Sequence, residues 1–169
     1  LGRHGGSIGI GGLNNASYYS DGPEAAISGD NFGGQVAEAI FFSDALDSTR
    51  RIILENYLSA KYNITLDRND FYAHQSTYSN DVIGIGANTL ATRDTNSAGS
   101  IIDSLKPTTV ITAADNYLFA GHDGGSLTLS ATDVPAGDFE RIGRVWRADR
   151  TGSDIDTVKL TFDVGAYGL

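Results

Sequence analysis

Apolar residues along this chain form short runs separated by glycine and small polar residues, a pattern typical of strands joined by turns. Runs of this kind lie at residues 7–13, 34–42, 81–86, 109–112, 117–121, 126–130, 141–148 and 157–164. The later runs follow one another at intervals of roughly ten residues, which favours a sandwich or barrel over a βαβ fold. The pattern therefore predicts a mainly β protein.

The run from 34 to 42 is the most apolar segment in the first third of the chain. It is bounded by glycine on one side and by Ser43-Asp44 on the other. In an extended conformation Val36, Glu38 and Ile40 would share one face, with alanines and Phe41 on the other. The sequence predicts a buried strand here.

One segment has the spacing of an amphipathic helix rather than a strand. Its apolar positions recur at intervals of three and four residues, and they are Ile53, Leu54, Tyr57 and Leu58, with Lys61 at the same spacing. Arg50, Arg51, Glu55 and Asn56 lie elsewhere on the helical wheel. The periodicity predicts a single helix at residues 47–62.

Both ends of this helix carry recognisable capping residues. Asp47-Ser48-Thr49 provides an acceptor side chain for the first turn. Asn63 follows the last periodic residue, and asparagine is the usual substitute for glycine at a left-handed helix terminus. Residues 64–66 are therefore expected to leave the helix in an extended conformation.

Composition and charge narrow the class of protein. The 169 residues carry 21 acidic and 12 basic side chains, for a net charge of −9, which argues against nucleic acid and anionic lipid as partners. No apolar stretch reaches the roughly 20 residues that span a bilayer, so no membrane insertion is expected. Cysteine is absent, which excludes thiol catalysis, disulfides and cysteine zinc sites.

Methionine is absent as well, and two expectations follow. The sequence is expected to be an excerpt or a processed product, because residue 1 is Leu1. The lack of both easily oxidised residues, together with a bias to Asp, Asn, Gly, Ser and Thr, favours an extracellular protein.

Two groups of segments carry a family resemblance. The first is the run 32–42, Ala45-Leu46-Asp47 and the segment 55–66, which reads ENYLSAKYNITL. It resembles bacterial secreted and cell-surface proteins in which a laminin-G-like, or concanavalin A-like, jelly roll is followed by a helix of the form YLAxKYGITL and a β-rich domain. The second is 140–147 and 157–163, which are similar to strands of that β-rich domain. Asn63 stands where the family usually has glycine.

The resemblance implies both an architecture and a role. Residues 1–45 would be the terminal strands of an incomplete jelly roll, residues 46–66 a connecting helix and its exit, and residues 67–169 a β-sandwich domain, whose completeness stays open. The implied role is a non-catalytic structural or adhesion module of a larger bacterial surface, matrix or filament protein. Its implied partners are other domains or copies of the same protein, at the cell surface or outside the cell.

Two other functions remain open at this point. A lectin-type module would bind glycans through exposed aromatic residues, and Tyr18 and Tyr19 are the candidates because they lie in a polar loop. A fragment of a secreted glycan hydrolase would need two carboxylates about the scissile bond. Glu38 is followed by Ala39 and Ile40 rather than by further acids, so we predict no catalytic residue.

Calcium is the metal that this composition favours, because it is bound by carboxylate and carbonyl oxygens. Two short segments place such groups close together, and their candidate ligands are Asp67, Asn69, Asp70, Asp154 and Asp156. Neither has the spacing of a calcium loop, and the alternative is that these residues cap turns. No cofactor other than calcium is expected.

The remaining motifs have structural interpretations. His4, His74 and His122 lie too far apart in sequence for a local zinc motif. Gly84-Ile85-Gly86 lacks the third glycine of a dinucleotide fingerprint, since position 89 is Thr89, so close packing or a bulge is expected there. Trp146 is predicted to belong to the core, and the glycosylation sequons at Asn15 and Asn63 are treated as chance occurrences.

Overall fold

A computed structural model of the chain describes residues 18–19, 22–23, 34–137 and 139–165, with backbone only for the first two pairs. The chain divides into two compact units, Leu1–Ser43 and Asp44–Leu169. The strand predicted at 7–13 lies outside the described residues. The described part is mainly β, with antiparallel pairing throughout and one helix.

In the first unit, strand β1 (Tyr18–Tyr19) pairs antiparallel with β2 (Gly22–Pro23). The buried strand predicted at 34–42 is wrong, because residues 35–42 form no regular element and are exposed. Phe41 is 63% exposed and Phe42 50%. Alternation of apolar side chains can define a face, but a strand also needs a neighbour for its backbone hydrogen bonds. Among the described residues none pairs with this run.

Helix α1 (Ser48–Tyr62) opens the second unit, as the sequence predicted. Asp47 is the N-cap, and its side chain accepts a hydrogen bond from the backbone of Arg50 at 2.9 Å. Asn63 adopts the left-handed conformation (φ 52°, ψ 51°), and its backbone N–H bonds the carbonyl of Ser59. The prediction from the capping residues is confirmed at both ends.

The buried face of α1 differs from the predicted one. It consists of Thr49, Ile52, Asn56, Ser59 and Ala60, whereas the four predicted apolar positions are only partly buried. The polar members of this face bond to the strands and loops that pack on it. Thr49 Oγ1 donates to the carbonyl of Thr92 at 2.6 Å and accepts from the backbone of Asn88 at 2.8 Å. Hydrophobic periodicity alone could not place this face, because three of its five residues are polar.

The strands of the second unit follow the helix in short antiparallel segments. They are β3 (Asn80–Thr89), β4 (Thr92–Asp94), β5 (Ser97–Gly99), β6 (Ile102–Pro107), β7 (Asn116–His122), β8 (Leu129–Ser130), β9 (Arg141–Ile142), β10 (Trp146–Thr151) and β11 (Val158–Phe162). They build a four-stranded sheet of order β10-β7-β3-β4, a three-stranded sheet of order β11-β6-β5, and the pair β8-β9.

The four-stranded sheet is covered on both faces. One face contributes Ile83, Ile85 and Leu118 to a core that also contains Ile102 and Leu105 of the three-stranded sheet. The other face lies under α1, where Tyr117 and Phe119 pack with Ile52, and Val82 and Tyr72 complete the cluster. Strands β3 and β7 are buried along most of their length because they lie at the centre of this arrangement.

Several strand predictions need correction. Residues 109–112 form no strand, because the backbone N–H groups of Thr112 and Ala113 donate to the Asp154 carboxylate instead of a neighbouring strand. The predicted strand 141–148 is interrupted, since the N–H of Val145 bonds the Asp123 side chain at 3.1 Å. Of the run 126–130 only the last two residues are a strand, and His122 closes β7 rather than lying in a turn.

The turns of this unit rely on asparagine and aspartate as well as glycine. Among the described residues, six other than glycine have positive φ, and they are Asn63, Asn69, Asp81, Ser100, Asp115 and Asp133. All of them except Asp81, which lies in β3, are outside the strands. Asparagine and aspartate tolerate the left-handed region better than other non-glycine residues. Part of the bias to asparagine and aspartate in the sequence is therefore explained by positions where the backbone has positive φ.

Candidate functional site

Gly84-Ile85-Gly86 lies inside β3 and not in a loop. A Cβ at Gly84 would come within 2.6 Å of the Phe119 ring, and one at Gly86 within 2.3 Å of the Tyr117 ring. Each glycine lies opposite the aromatic residue of β7 that covers it. The expectation of close packing is confirmed, because the two rings occupy the space above the strand.

His122 is a buried polar residue with hydrogen bonds at both ring nitrogens. It ends β7, directly opposite Asn80 of β3 and Trp146 of β10, and it is only 3% exposed. Its Nε2 lies 2.8 Å from Asp81 Oδ2, while its Nδ1 accepts a hydrogen bond from the backbone N–H of Gly124 at 3.0 Å.

These two contacts fix the tautomer of His122. Because the Gly124 N–H donates to Nδ1, that nitrogen carries no proton, so the proton is on Nε2 and points at the Asp81 carboxylate. General base catalysis requires a ring nitrogen that can face a substrate. Both nitrogens of His122 are already used within the fold, and the pair therefore holds the end of β7 against the start of β3.

Trp146 and Arg144 complete one side of this cluster. The Trp146 ring lies 5.6 Å from the His122 ring and 5.9 Å from that of Phe162, and it packs against the core while remaining partly exposed. The guanidinium of Arg144 lies 5.8 Å from the Trp146 ring and donates to Ser100 Oγ at 2.7 Å. Arg144 thus ties the loop before β10 to the turn before β6.

Asp123 fixes the loop that follows His122. Its carboxylate accepts hydrogen bonds from the backbone N–H groups of Gly125 at 2.8 Å and Val145 at 3.1 Å. These bonds stabilise the ionised form and lower the pKa of Asp123 below its ordinary value. This carboxylate is occupied with backbone groups, as is the neighbouring histidine.

The calcium candidates Asp154 and Asp156 lie between β10 and β11. Asp154 accepts hydrogen bonds from the backbone of Thr112 and Ala113 and, at 2.8 Å, from the Thr112 hydroxyl. Asp156 forms an ion pair with Arg150 at 3.0 Å. In this structure the pair serves as loop anchors.

The other calcium candidates, Asp67, Asn69 and Asp70, follow the helix. The carbonyl of Asn69 accepts a hydrogen bond from Asn56 Nδ2 at 2.7 Å, and Asp70 lies 3.5 Å from Gln75 Nε2, while Asp67 is exposed. Within the described ranges no three histidine, aspartate or glutamate side chains come together in a geometry that suits a metal ion.

The remaining candidates have the following places. Tyr18 and Tyr19 are described as backbone only, so their side chains, together with His4 and Asn15, lie outside the described residues. His74 Nε2 lies 3.4 Å from Arg147 Nε, and Asn63 is the helix cap. The buried anchors Asn56 and Thr49 were missed by the sequence reasoning, since a polar residue on an amphipathic helix gives no signal of burial.

The hydrogen bonds to Asp154 predict how acid affects stability. They lower the pKa of Asp154 in the folded state, so its contribution is complete above the ordinary carboxyl pKa of about 3.9 and is lost as pH falls through the folded value. We expect Asp154→Asn to be less stable than the parent protein at pH 7 and almost equal to it at the lowest pH. Urea unfolding between pH 7 and pH 2.5 measures this difference.

The control for this prediction is Asp156→Asn. This substitution removes the same charge from the same loop, but Asp156 bonds Arg150 and accepts none of the backbone hydrogen bonds that Asp154 accepts. Its difference from the parent protein should be small over the whole range. A difference for Asp154→Asn that stays constant with pH would contradict the assignment.

The described residues define a mainly β, antiparallel domain with one packed helix. Several of its acidic and amide side chains, among them Asn56, Asp123 and Asp154, bond the backbone of loops. The profile of the family described as Domain of unknown function (DUF8202) matches residues 50–169, and the chain belongs to this family. No curated protein and no solved structure matches the chain. Within the described residues, the helix is too short and too polar to cross a membrane.

Proposed function

We propose that this chain is a non-catalytic structural or adhesion module of a larger bacterial surface, matrix or filament protein. The observation that carries the proposal is the use of the polar side chains. His122, Asp123, Asp154 and Asn56 each form hydrogen bonds with backbone groups. His122 also bonds the Asp81 side chain. Such a network holds long loops in place, which suits a scaffold that presents surfaces to partners.

The extracellular part of the proposal rests on the composition and on the resemblance to laminin-G-like surface proteins. A chain without cysteine or methionine has neither of the side chains that oxidise most readily. Within this proposal the two larger sheets of the second unit form a β-sandwich, and residues 1–45 belong to the end of a jelly roll, in which residues 35–42 form no strand. The partners are neighbouring domains or further copies of the same protein.

The localisation test uses the intact protein in the cells that make it. Antibodies against the purified chain should label intact cells, and protease added outside should remove the label. A cytosolic protein probed in the same cells is the control, because it should be labelled only after permeabilisation. Labelling that requires permeabilisation would overturn the extracellular assignment.

The non-catalytic part has its own test. The purified chain should release no product from a panel of polysaccharides, as measured by reducing ends. Turnover that disappears in His122→Gln, with the circular dichroism spectrum unchanged, would contradict the proposal, because it would show that the histidine takes part in chemistry.

A further inference from the structure

An open cleft of about 440 Å³ lies beside the end of β6 in the three-stranded sheet. It is lined by Thr95, Lys106, Pro107, Thr108, Thr109 and Val110. A volume of this size is in the range of small-ligand sites. The lining combines hydroxyl groups with the apolar surface of Pro107 and Val110, and Val110 is 69% exposed.

A second lysine lies next to this cleft. Lys159 of β11 is the direct cross-strand partner of Lys106, and cross-strand side chains of this kind start about 5 Å apart. The chain contains only three lysines and has a net charge of −9, so a like-charged pair of them is unexpected. Like charges directly opposite each other destabilise a sheet.

Neither of the two lysines has an ion-pair partner that would explain the pairing. Lys106 and Lys159 form no ion pair with the described residues 34–137 and 139–165. Thr108 donates its hydroxyl to the carbonyl of Thr157 at 3.0 Å. The hydroxyls of Thr95 and Thr109 make no hydrogen bond with the described part of the chain.

From these features we infer that the cleft binds a carboxylate-bearing carbohydrate, with Lys106 and Lys159 holding the carboxylate. Threonine hydroxyls can both donate to and accept from sugar hydroxyls, and the apolar surface of Pro107 and Val110 suits the C–H face of a sugar ring. The overall charge of −9 repels a densely charged polyanion, which favours a ligand with few acid groups on a hydroxyl-rich body. The repulsion between the two lysines lowers stability, and binding sites commonly keep such unfavourable contacts because the ligand needs them.

This inference deepens the adhesive role and depends on the proposed function for its biological setting only. Binding is measured on the purified chain, so it can succeed or fail whatever the localisation experiment shows. If the chain were found inside cells and still bound the acidic sugar, the extracellular assignment would fail while the carbohydrate-binding proposal would stand.

The experiment titrates the ¹⁵N-labelled chain with digalacturonate and, in parallel, with neutral digalactose. We expect the acidic sugar to shift the amides of Thr108, Thr109 and Val110, with an affinity that falls as NaCl is raised. Lys106→Gln should weaken binding about three- to tenfold, and Lys159→Gln should weaken it in the same direction. Lys61→Gln is the matched control, because it makes the same charge change on helix α1 and should leave affinity unchanged.

Thermal unfolding of the same variants checks that lost binding is not lost folding. Lys106→Gln and Lys159→Gln remove a repulsion, so their midpoints should equal or exceed that of the parent chain. Equal binding of digalactose, or an affinity that Lys106→Gln leaves unchanged, would overturn the proposal. Acetate or phosphate binding as tightly as digalacturonate would overturn the carbohydrate part and leave a simple anion site.

Discussion

Replacing Asn56 by aspartate should destabilise the second unit by about 3 kcal/mol or more. Asn56 is 1% exposed and makes four hydrogen bonds. Its Oδ1 accepts from the backbone of Phe71 at 2.8 Å and Tyr72 at 3.0 Å. Its Nδ2 donates to the carbonyls of Ile52 at 2.9 Å and Asn69 at 2.7 Å.

Aspartate has nearly the same shape but cannot donate when ionised. The second carboxylate oxygen would face the two carbonyl oxygens that now receive the amide, and a charge would be buried beside them. Both effects are costly at a buried position. Urea unfolding followed by tryptophan fluorescence measures the change in the free energy of unfolding at pH 7.

Lowering the pH provides a second signature of Asn56→Asp. A protonated carboxyl can donate one of the two lost bonds, so the deficit relative to the parent chain should shrink in acid. Asn96→Asp is the control, because Asn96 is exposed and its substitution should change stability by less than about 0.5 kcal/mol. Similar losses in the two variants would refute the role given to Asn56.

Gly86→Ala should cost about 2–3 kcal/mol, the upper part of the range of roughly 1–3 kcal/mol for an extra carbon atom in a packed core. The new Cβ would lie 2.3 Å from Tyr117 Cδ1 and 2.6 Å from the backbone oxygen of Asn116. Tyr117 cannot retreat easily, since it is fully buried and stacks on Phe71 at 5.0 Å and Phe119 at 6.0 Å.

Two further variants make this prediction specific. Gly143→Ala is the control, because a Cβ there would be 3.5 Å or more from its nearest neighbours and should be tolerated. In a Tyr117→Leu background the ring is gone, and Gly86→Ala should then cost less than it does in the parent chain. Calorimetry of the parent chain, the two single variants Gly86→Ala and Tyr117→Leu, and the double variant completes this double-mutant cycle. Additive effects of the two substitutions would contradict the close packing of the two residues.

The sequence predicted those elements whose signals are local. Asp47 and Asn63 defined the helix because capping depends on side chains within a few residues of the terminus. Strands β3 and β7 were found from short runs rich in apolar residues, and β11 from the alternation of apolar and polar residues. The strands β4 and β5 were missed because each has three residues, too few for a period of two to be visible.

The errors came from features that depend on distant partners. The run at 34–42 has the composition of a strand, but no described strand pairs with it. Asn56 is buried because its Oδ1 accepts hydrogen bonds from the backbone N–H groups of Phe71 and Tyr72. The residues next to position 56 give no signal of these partners, which lie 15 and 16 residues away. The lysine pair at 106 and 159 depends on the register between β6 and β11, which the sequence does not specify.

The residues with positive φ link the charge of this domain to its backbone geometry. Three of the residues with positive φ are the acids Asp81, Asp115 and Asp133. An aspartate at such a position limits the conformations of the unfolded chain more than glycine would, so less entropy is lost on folding. At these three positions, acidity and backbone geometry are therefore linked. Replacing one of these aspartates to alter solubility would also alter the backbone, whereas acids at ordinary φ can be replaced without that effect.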